Sequence, residues 1–201
     1  MFIGAIAYNS GMIFKINSYE LGDEKVFALI HKESLQVGLL ANLSISTLQI
    51  YYLRLAKQKN VEILVARKQE GDVIGFCVIQ IGNYSFRSFL SIKILLNLLF
   101  CIVSKPRFFQ VIINQKKFIK NGEINNAEIL IFCVKERYRG AGVGNSLINS
   151  AVEFCNDNNL NKIYTTTHND RLTDFYIKNY SGEIISKTNF GFYQASKVKI
   201  R

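Results

Sequence analysis

Short apolar segments separated by polar turns recur along the chain, and their spacing predicts that strands and helices alternate. Runs rich in β-branched and aromatic residues predict strands at 12–17, 61–67, 73–81, 127–134, 162–167, 183–186 and 191–199. Apolar residues at helical spacing predict helices at 20–36, from 46 onward, at 143–158 and at 170–179. A short turn around Gly71 joins the second and third strands, which predicts a β-hairpin.

Residues 85–121 differ from the rest of the chain because they contain seven basic residues and no acidic residue. Apolar residues are interleaved with these cations and Pro106 divides the segment, so the pattern predicts two basic amphipathic helices inserted between strands. Such a segment can be a solvated cationic face over a core-facing apolar one, a lid over a substrate, or a membrane-surface patch. The sequence leaves these alternatives open.

The length of 201 residues, with 49% hydrophobic and 20% charged residues, suits one folded domain spanning 1–201. The longest apolar stretch, 89–103, is interrupted by Lys93 and Asn97 and is too short for a membrane-spanning helix. The apolar start of the chain has no basic lead-in. We therefore interpret it as an extra strand or a loose leader, not as a signal peptide.

The net charge of +10 favours anionic partners: nucleic acid, anionic lipid or a ligand that carries a nucleotide. No run of basic residues resembles a nucleic-acid-binding arm, so nucleic acid is the least favoured of these. The four cysteines lack Cys-x-x-Cys spacing and there are only two histidines, which argues against a metal site. Three cysteines lie in apolar runs, as buried reduced thiols do, and this predicts a cytoplasmic location.

The motif Arg-Gly-Ala-Gly-Val-Gly at 139–144 lies between a predicted strand and a predicted helix. The first N–H groups of a helix lack internal partners, and glycines let a phosphate approach the backbone, so this order predicts an anion site. The motif lacks the Gly-Lys-Ser/Thr ending of a P-loop, and Asn145 replaces the third glycine of a dinucleotide fingerprint. A tight structural turn is the alternative interpretation.

The motif and the residues after it resemble the Gcn5-related N-acetyltransferases (GNAT), whose pyrophosphate-binding signature is Gln/Arg-x-x-Gly-x-Gly/Ala. Downstream, Asn169 and Phe175-Tyr176 keep the family's spacing, whereas Leu172 and the missing Leu-Gly-Phe depart from it. The order of elements is similar over about 12–199. The resemblance implies an α/β (α+β) fold: a mixed, mostly antiparallel central sheet flanked by helices, with a V-shaped splay between the family's fourth and fifth strands.

The resemblance also implies acetyl-CoA as co-substrate, without a metal. The pantetheine arm would pair with the backbone of Phe132, Cys133 and Val134, and Asn169 would help orient it. Tyr176 would lie near the thioester sulfur and protonate the departing thiolate. The amides that would hold the pyrophosphate are those of Arg139, Gly140, Ala141, Gly142, Val143, Gly144 and Asn145.

The base that accepts the proton of the attacking amine is predicted to be Glu128. It stands six residues before the end of the central strand, as a glutamate does in the histone-acetylating branch, and its apolar surroundings favour a raised pKa. A solvent-facing glutamate at the strand end is the alternative, and His168 or Asp170 could serve instead. Because the family transfers the acyl group directly to the amine, Cys133 is interpreted as a buried strand residue.

The acceptor is the least defined part of the prediction. The basic insertion resembles one found in bacterial family members linked to surface polysaccharides, which implies an amino sugar, free or carried on a nucleotide. A protein or peptide N-acetyltransferase and a non-catalytic, membrane-associated CoA-binding module are the alternatives. Peripheral contact with the inner face of the membrane through 85–121 accompanies the predicted cytoplasmic location.

Overall fold

The computed structural model describes residues 6–9, 12–35, 37–38, 40–82, 91–104, 126–160, 162–190 and 193–200. Its eight strands form one sheet in the order β1-β2-β3-β4-β5-β6-β8-β7. They are β1 (Ile6–Asn9), β2 (Met12–Ser18), β3 (Val61–Lys68), β4 (Val73–Ile81), β5 (Asn126–Val134), β6 (Lys162–Thr167), β7 (Glu183–Asn189) and β8 (Gln194–Ile200). Every described neighbouring pair is antiparallel except β5 and β6, which run parallel.

Among the described residues, five α-helices cover the two faces of this sheet. They are α1 (Asp23–Ser34), α2 (Ile45–Ala56), α3 (Ile92–Ser104), α4 (Val143–Asp157) and α5 (Asp170–Tyr180). The mixed, mostly antiparallel sheet flanked by helices confirms the predicted fold class. The segment that was interpreted as a strand or a leader includes a strand, β1, which pairs with β2.

Two apolar cores lie on opposite faces because neighbouring side chains of a strand point to opposite sides. In β4, Phe76 and Val78 pack in the core beneath α1, α2 and α3, whereas Cys77 and Ile79 pack in the core beneath α4 and α5. Residues 73–80 are all buried, as expected for a central strand covered on both faces.

A fork opens between β5 and β6. Their pairing runs only from Asn126–Lys162 to Ile129–Thr165, although β5 continues to Val134. On its other side β5 changes register with β4 at the same place, because Ile129 pairs with Ile79 and Ile131 pairs with Val78. Leu130 is therefore an extra residue, a β-bulge, which bends the strand where it leaves its neighbour. This confirms the predicted splay.

Of the predicted insertion, the structure describes the helix α3 in its first half. The predicted second helix, after Pro106, lies outside the described residues. Within the described part of the chain, no helix has both the length and the apolar character needed to cross a membrane.

A buried polar pair that the sequence did not reveal joins α1 to α2. The Nδ1 atom of His31 lies 2.6 Å from the hydroxyl of Tyr52, and both side chains are almost completely buried. Burial, together with the nearby charge of Lys32, lowers the pKa of His31 to about 4. The imidazole is therefore neutral at physiological pH and shares a hydrogen bond with the Tyr52 hydroxyl.

We expect this pair to make stability fall in mild acid. An unfolded chain protonates His31 near its ordinary pKa of 6.5, whereas the folded chain resists protonation down to about 4. The contribution of His31 to the free energy of unfolding is therefore complete above pH 6.5. It falls by about 3 kcal/mol as the pH drops from 6.5 towards 4. Urea unfolding at pH 7.5 and pH 4.5 should show the stability gap between wild type and His31→Gln shrinking in acid.

The other histidine provides the matched control. His168 is exposed, and partial burial lowers its pKa in the same direction. His168→Gln should therefore change the pH dependence much less than His31→Gln. A gap between wild type and His31→Gln that stays constant over this pH range would contradict the proposed titration.

Candidate active site

The glycine motif forms the start of α4, as predicted. Gly140 and Gly142 have φ angles of 80° and 81°, in the left-handed region that favours glycine, and Gly142 is the N-cap of α4. Gly144 is needed for a different reason: a Cβ atom there would lie 3.3 Å from Cζ of Phe132 on β5. The loop therefore brings the helix start close to the strand that borders the fork.

The N-terminus of α4 is built to accept an anion. No side chain caps it, and its first turn contains no acidic residue. By contrast, Ser44 caps α2 and Asn169 caps α5. The amides of the first turn have no partner within the helix and carry the positive end of its dipole, so they can donate to phosphate oxygens.

The side chain of Arg139 is held at this helix start by two contacts. Its Nε donates to the carbonyl of Val134 at 3.2 Å, and its Nη2 donates to Oγ of Ser34, the last residue of α1, at 3.2 Å. Ser34 Oγ also lies 3.4 Å from the Val134 carbonyl. That carbonyl, which was predicted to pair with pantetheine, is thus already engaged by the protein. No sequence signal marks Ser34, because it is 105 residues away from Arg139.

A charge change at Asn145, an exposed residue in the first turn of α4, tests this anion site. Asn145→Asp should stabilise the fold by about 0.3–1 kcal/mol, because a carboxylate favours a helix N-terminus. The same charge would repel the predicted pyrophosphate. It should raise the KM for acetyl-CoA by about tenfold or more, with little change in kcat. Asn149→Asp, one turn further along the same helix, should change KM much less. Equal effects of the two variants on KM would argue against binding at the helix start.

Tyr176 lies at the fork, on the α4 and α5 face of the sheet. Its side chain is 0% exposed, and its hydroxyl makes no hydrogen bond of ordinary geometry with the described residues, although the Thr165 hydroxyl is close enough to interact with it. Burial raises its pKa well above the usual range, and the neighbouring Thr165 hydroxyl offsets only part of that effect. Thr165 Oγ1 itself donates to the carbonyl of Ile129 at 3.3 Å, at the last paired position of the two strands. The phenol is therefore protonated at neutral pH and close to where the strands separate.

Glu128 lies on the opposite face of the sheet, the α1, α2 and α3 side. It stands between Gln80 on β4 and Tyr164 on β6 in the strand register. Burial raises the pKa of its carboxyl group, whereas the charge of Lys197 and a hydrogen bond from Thr166 Oγ1 at 3.4 Å lower it. The side chains of the two predicted catalytic residues, Glu128 and Tyr176, thus lie on opposite faces of the sheet.

Asn169 has a local structural role that the prediction did not include. Its Oδ1 accepts hydrogen bonds from the backbone amides of Arg171 at 3.0 Å and Leu172 at 3.3 Å, which caps α5. This cap fixes the start of the helix that carries Tyr176. The alternative bases flank it: Asp170 is the first residue of α5, and the exposed His168 contacts the ring of Tyr193 edge-on at 5.9 Å.

All four cysteines are free and buried. Burial raises the pKa of Cys133 to about 12, and the charge of Arg139 offsets only part of this effect. A thiol that stays protonated at neutral pH is a poor nucleophile, in agreement with its interpretation as a strand residue. Within the described residues, no group of three or more His, Cys, Asp or Glu side chains could hold a metal ion.

Comparison with known proteins identifies the family. The profile of the acetyltransferase (GNAT) family matches residues 33–180, and the chain therefore belongs to this family of acyltransferases. Its members transfer an acetyl group from acetyl-CoA to an amine. Curated protein sequences give no match.

Solved structures share the fold at low sequence identity. Ard1 from Thermoplasma volcanium is 19% identical, with 92% of this chain and 95% of that chain covered and a TM-score of 0.59. A spermidine N-acetyltransferase SpeG chimera from Vibrio cholerae and hSSAT is 16% identical, with 92% and 94% covered and a TM-score of 0.59. PaiA N-acetyltransferase from Thermoplasma acidophilum, in complex with coenzyme A, is 16% identical, with 92% and 97% covered and a TM-score of 0.55.

Proposed function

We propose that this protein transfers the acetyl group of acetyl-CoA to the primary amine of an amino sugar, free or linked to a nucleotide, by direct attack on the thioester. The observation that carries the catalytic part of the proposal is the hydroxyl of Tyr176. A buried phenol that makes no hydrogen bond of ordinary geometry with the described residues is costly unless a ligand supplies a better partner. At the fork, that ligand group is the sulfur of the thioester.

The residues present fit acetyl-CoA, which supplies an activated acyl group when bound. The uncapped amides of α4, from Gly142 to Asn145, would hold the pyrophosphate, and the positioned guanidinium of Arg139 would add positive charge. The unpaired edge of β5 beyond Ile129 would pair with the pantetheine arm. These groups follow one another from the helix start towards Tyr176.

The chemistry divides between the two faces of the sheet. Glu128 accepts a proton from the attacking amine. The raised pKa of its carboxyl group makes the carboxylate a stronger base than an ordinary glutamate. Tyr176 donates a hydrogen bond, and then its proton, to the sulfur as the carbon–sulfur bond breaks.

The amino-sugar acceptor is supported by charge. Lys197 lies beside Glu128, and Lys199 faces Tyr164 in the register of β6 and β8. With a net charge of +10, these cations favour an acceptor that carries a nucleotide diphosphate. A peptide acceptor is the second candidate, whereas the presence of both Glu128 and Tyr176 argues against a non-catalytic CoA-binding module. A cytoplasmic location, with peripheral contact at the membrane, belongs to the same proposal.

A thiol-release assay with acetyl-CoA tests the proposal across amino sugars, nucleotide-linked amino sugars, polyamines and peptides. We expect the highest kcat/KM with an amino sugar or its nucleotide-linked form. A higher value with peptides would replace the proposed acceptor by the second candidate. Tight acetyl-CoA binding without transfer to any of these amines would reject the catalytic proposal itself.

A further inference from the structure

Helix α3 has an apolar face on each side. Its inner face, formed by Ile94, Leu98 and Cys101, is buried in the core that α1 and α2 share with the sheet. Cys101 also donates its thiol proton to the carbonyl of Asn42, with a sulfur–oxygen distance of 3.6 Å. The inner face therefore accounts for how the helix is held on the fold, and it leaves the outer face without a role in the core.

The outer face is a continuous stripe of large apolar side chains. These side chains come at positions 92, 95, 96, 99, 100 and 103, a spacing that puts them on one side of the helix. Their exposed fractions are Ile92 80%, Leu95 46%, Leu96 59%, Leu99 49%, Phe100 72% and Val103 81%. The charged residue of α3, Lys93, lies at the edge of this stripe. A contiguous apolar patch of this kind on a folded protein marks a contact surface.

The charge of the surrounding segment favours an anionic partner. Residues 85–121 contain seven basic residues and no acidic residue, and Lys93 on α3 is exposed. Pairing of α3 with a second copy would bring two such sets of cations together, in a chain with a net charge of +10. That repulsion disfavours self-association. An anionic bilayer surface offers negative headgroups directly above apolar acyl chains, so it can satisfy both the stripe and the cations.

The length of the helix decides how it would bind. Thirteen residues of α-helix extend about 20 Å, which is too short for a hydrocarbon core of about 30 Å. The helix can only lie parallel to the surface, with the outer stripe down and the inner face still attached to the protein. α3 packs against α2, on the sheet face that carries Glu128, so the docked side is the one from which we propose that the amine enters.

We propose that the outer face of α3, from Ile92 to Val103, docks the enzyme on the surface of an anionic membrane. This inference specifies the peripheral contact included in the proposed function, and its test needs no turnover. The contact combines burial of the apolar stripe among the acyl chains with attraction between the positively charged protein, including the exposed Lys93 of α3, and the headgroups. Both parts are necessary, since the stripe alone would not distinguish anionic from neutral lipid.

The test is flotation of the full chain with vesicles of phosphatidylcholine alone or phosphatidylcholine with one quarter phosphatidylglycerol. Wild type should float with the anionic vesicles. The bound fraction should be lower by about tenfold or more with neutral vesicles, and likewise with anionic vesicles at high salt. Leu96→Ser combined with Phe100→Ser should also reduce anionic-vesicle binding by about tenfold or more. The matched control is Leu21→Ser, an 83% exposed leucine ahead of α1, which should bind like wild type.

Three results would overturn the inference. They are no flotation of wild type with anionic vesicles, equal flotation of the stripe variant and wild type, and self-association that the stripe variant abolishes without any vesicle binding. Circular dichroism and thermal unfolding of the stripe variant check that it folds, since both of its side chains are mostly exposed in wild type. The thiol-release assay on a soluble amine separates this question from catalysis, because the variant should retain that activity.

Discussion

Tyr176→Phe should lower kcat for acetyl transfer by roughly 10²–10⁴-fold, while the free energy of unfolding stays unchanged or rises slightly. The loss of activity follows from removing the proton donor that faces the departing sulfur. The stability should change little because the buried hydroxyl makes no hydrogen bond of ordinary geometry with the described residues. Single-turnover kinetics and urea unfolding measure the two effects separately.

The matched control is Tyr19→Phe, which should show the opposite pattern. The Tyr19 hydroxyl donates to Oε2 of Glu24 at 3.0 Å, ahead of α1 and away from the fork. Its removal should cost about 1 kcal/mol of stability and leave kcat unchanged. If Tyr176→Phe instead lost stability and kept its turnover, Tyr176 would be a structural residue and the thioester would need another donor.

Glu128→Gln should lower kcat by a similar factor of roughly 10²–10⁴, through loss of the base. It should also raise stability at neutral pH. Burial raises the pKa of Glu128 in the folded protein, so ionisation costs the fold free energy as the pH rises above the ordinary value of 4.5. The neutral amide removes that cost. A variant that is less active and more stable is therefore the expected outcome.

The pH dependence of the wild type should report the same group. The base must be ionised, so kcat/KM falls as the pH drops through the raised pKa of Glu128. Lys197 and Thr166 both lower that pKa, so Lys197→Met and Thr166→Val should each move the acid limb of the profile to higher pH. Loss of activity in Glu128→Gln with an acid limb identical to wild type would transfer the role to another group, such as His168.

The strand pattern was predictable because each strand combines a local signal with a clear end. Strands β4 and β6 have the predicted bounds, since apolar or β-branched runs there are bordered by turn residues. The helix start at Val143 was predictable for the same reason, because glycines precede it. By contrast, β7 is longer than predicted and almost entirely exposed, so it carries little apolar signal.

Candidate site residues could be named where a motif carries them, but their arrangement could not be predicted where distant strands meet. The glycine motif, Tyr176 and Glu128 could be named from the sequence through the resemblance. That Tyr176 and Glu128 lie on opposite faces depends on the bulge at Leu130 and on the register of β5 with β6, which no local pattern reveals. Ser34 and Lys197 were missed because each reaches the site from a remote element.

The fork as the acetyl-CoA site is tested most directly by a crystal structure of the protein grown with acetyl-CoA. We expect pyrophosphate oxygens within about 3 Å of backbone nitrogens in the first turn of α4, and the sulfur within about 4 Å of the Tyr176 hydroxyl. A pyrophosphate bound away from the α4 N-terminus, with the Tyr176 hydroxyl still without a ligand contact, would contradict the proposed site.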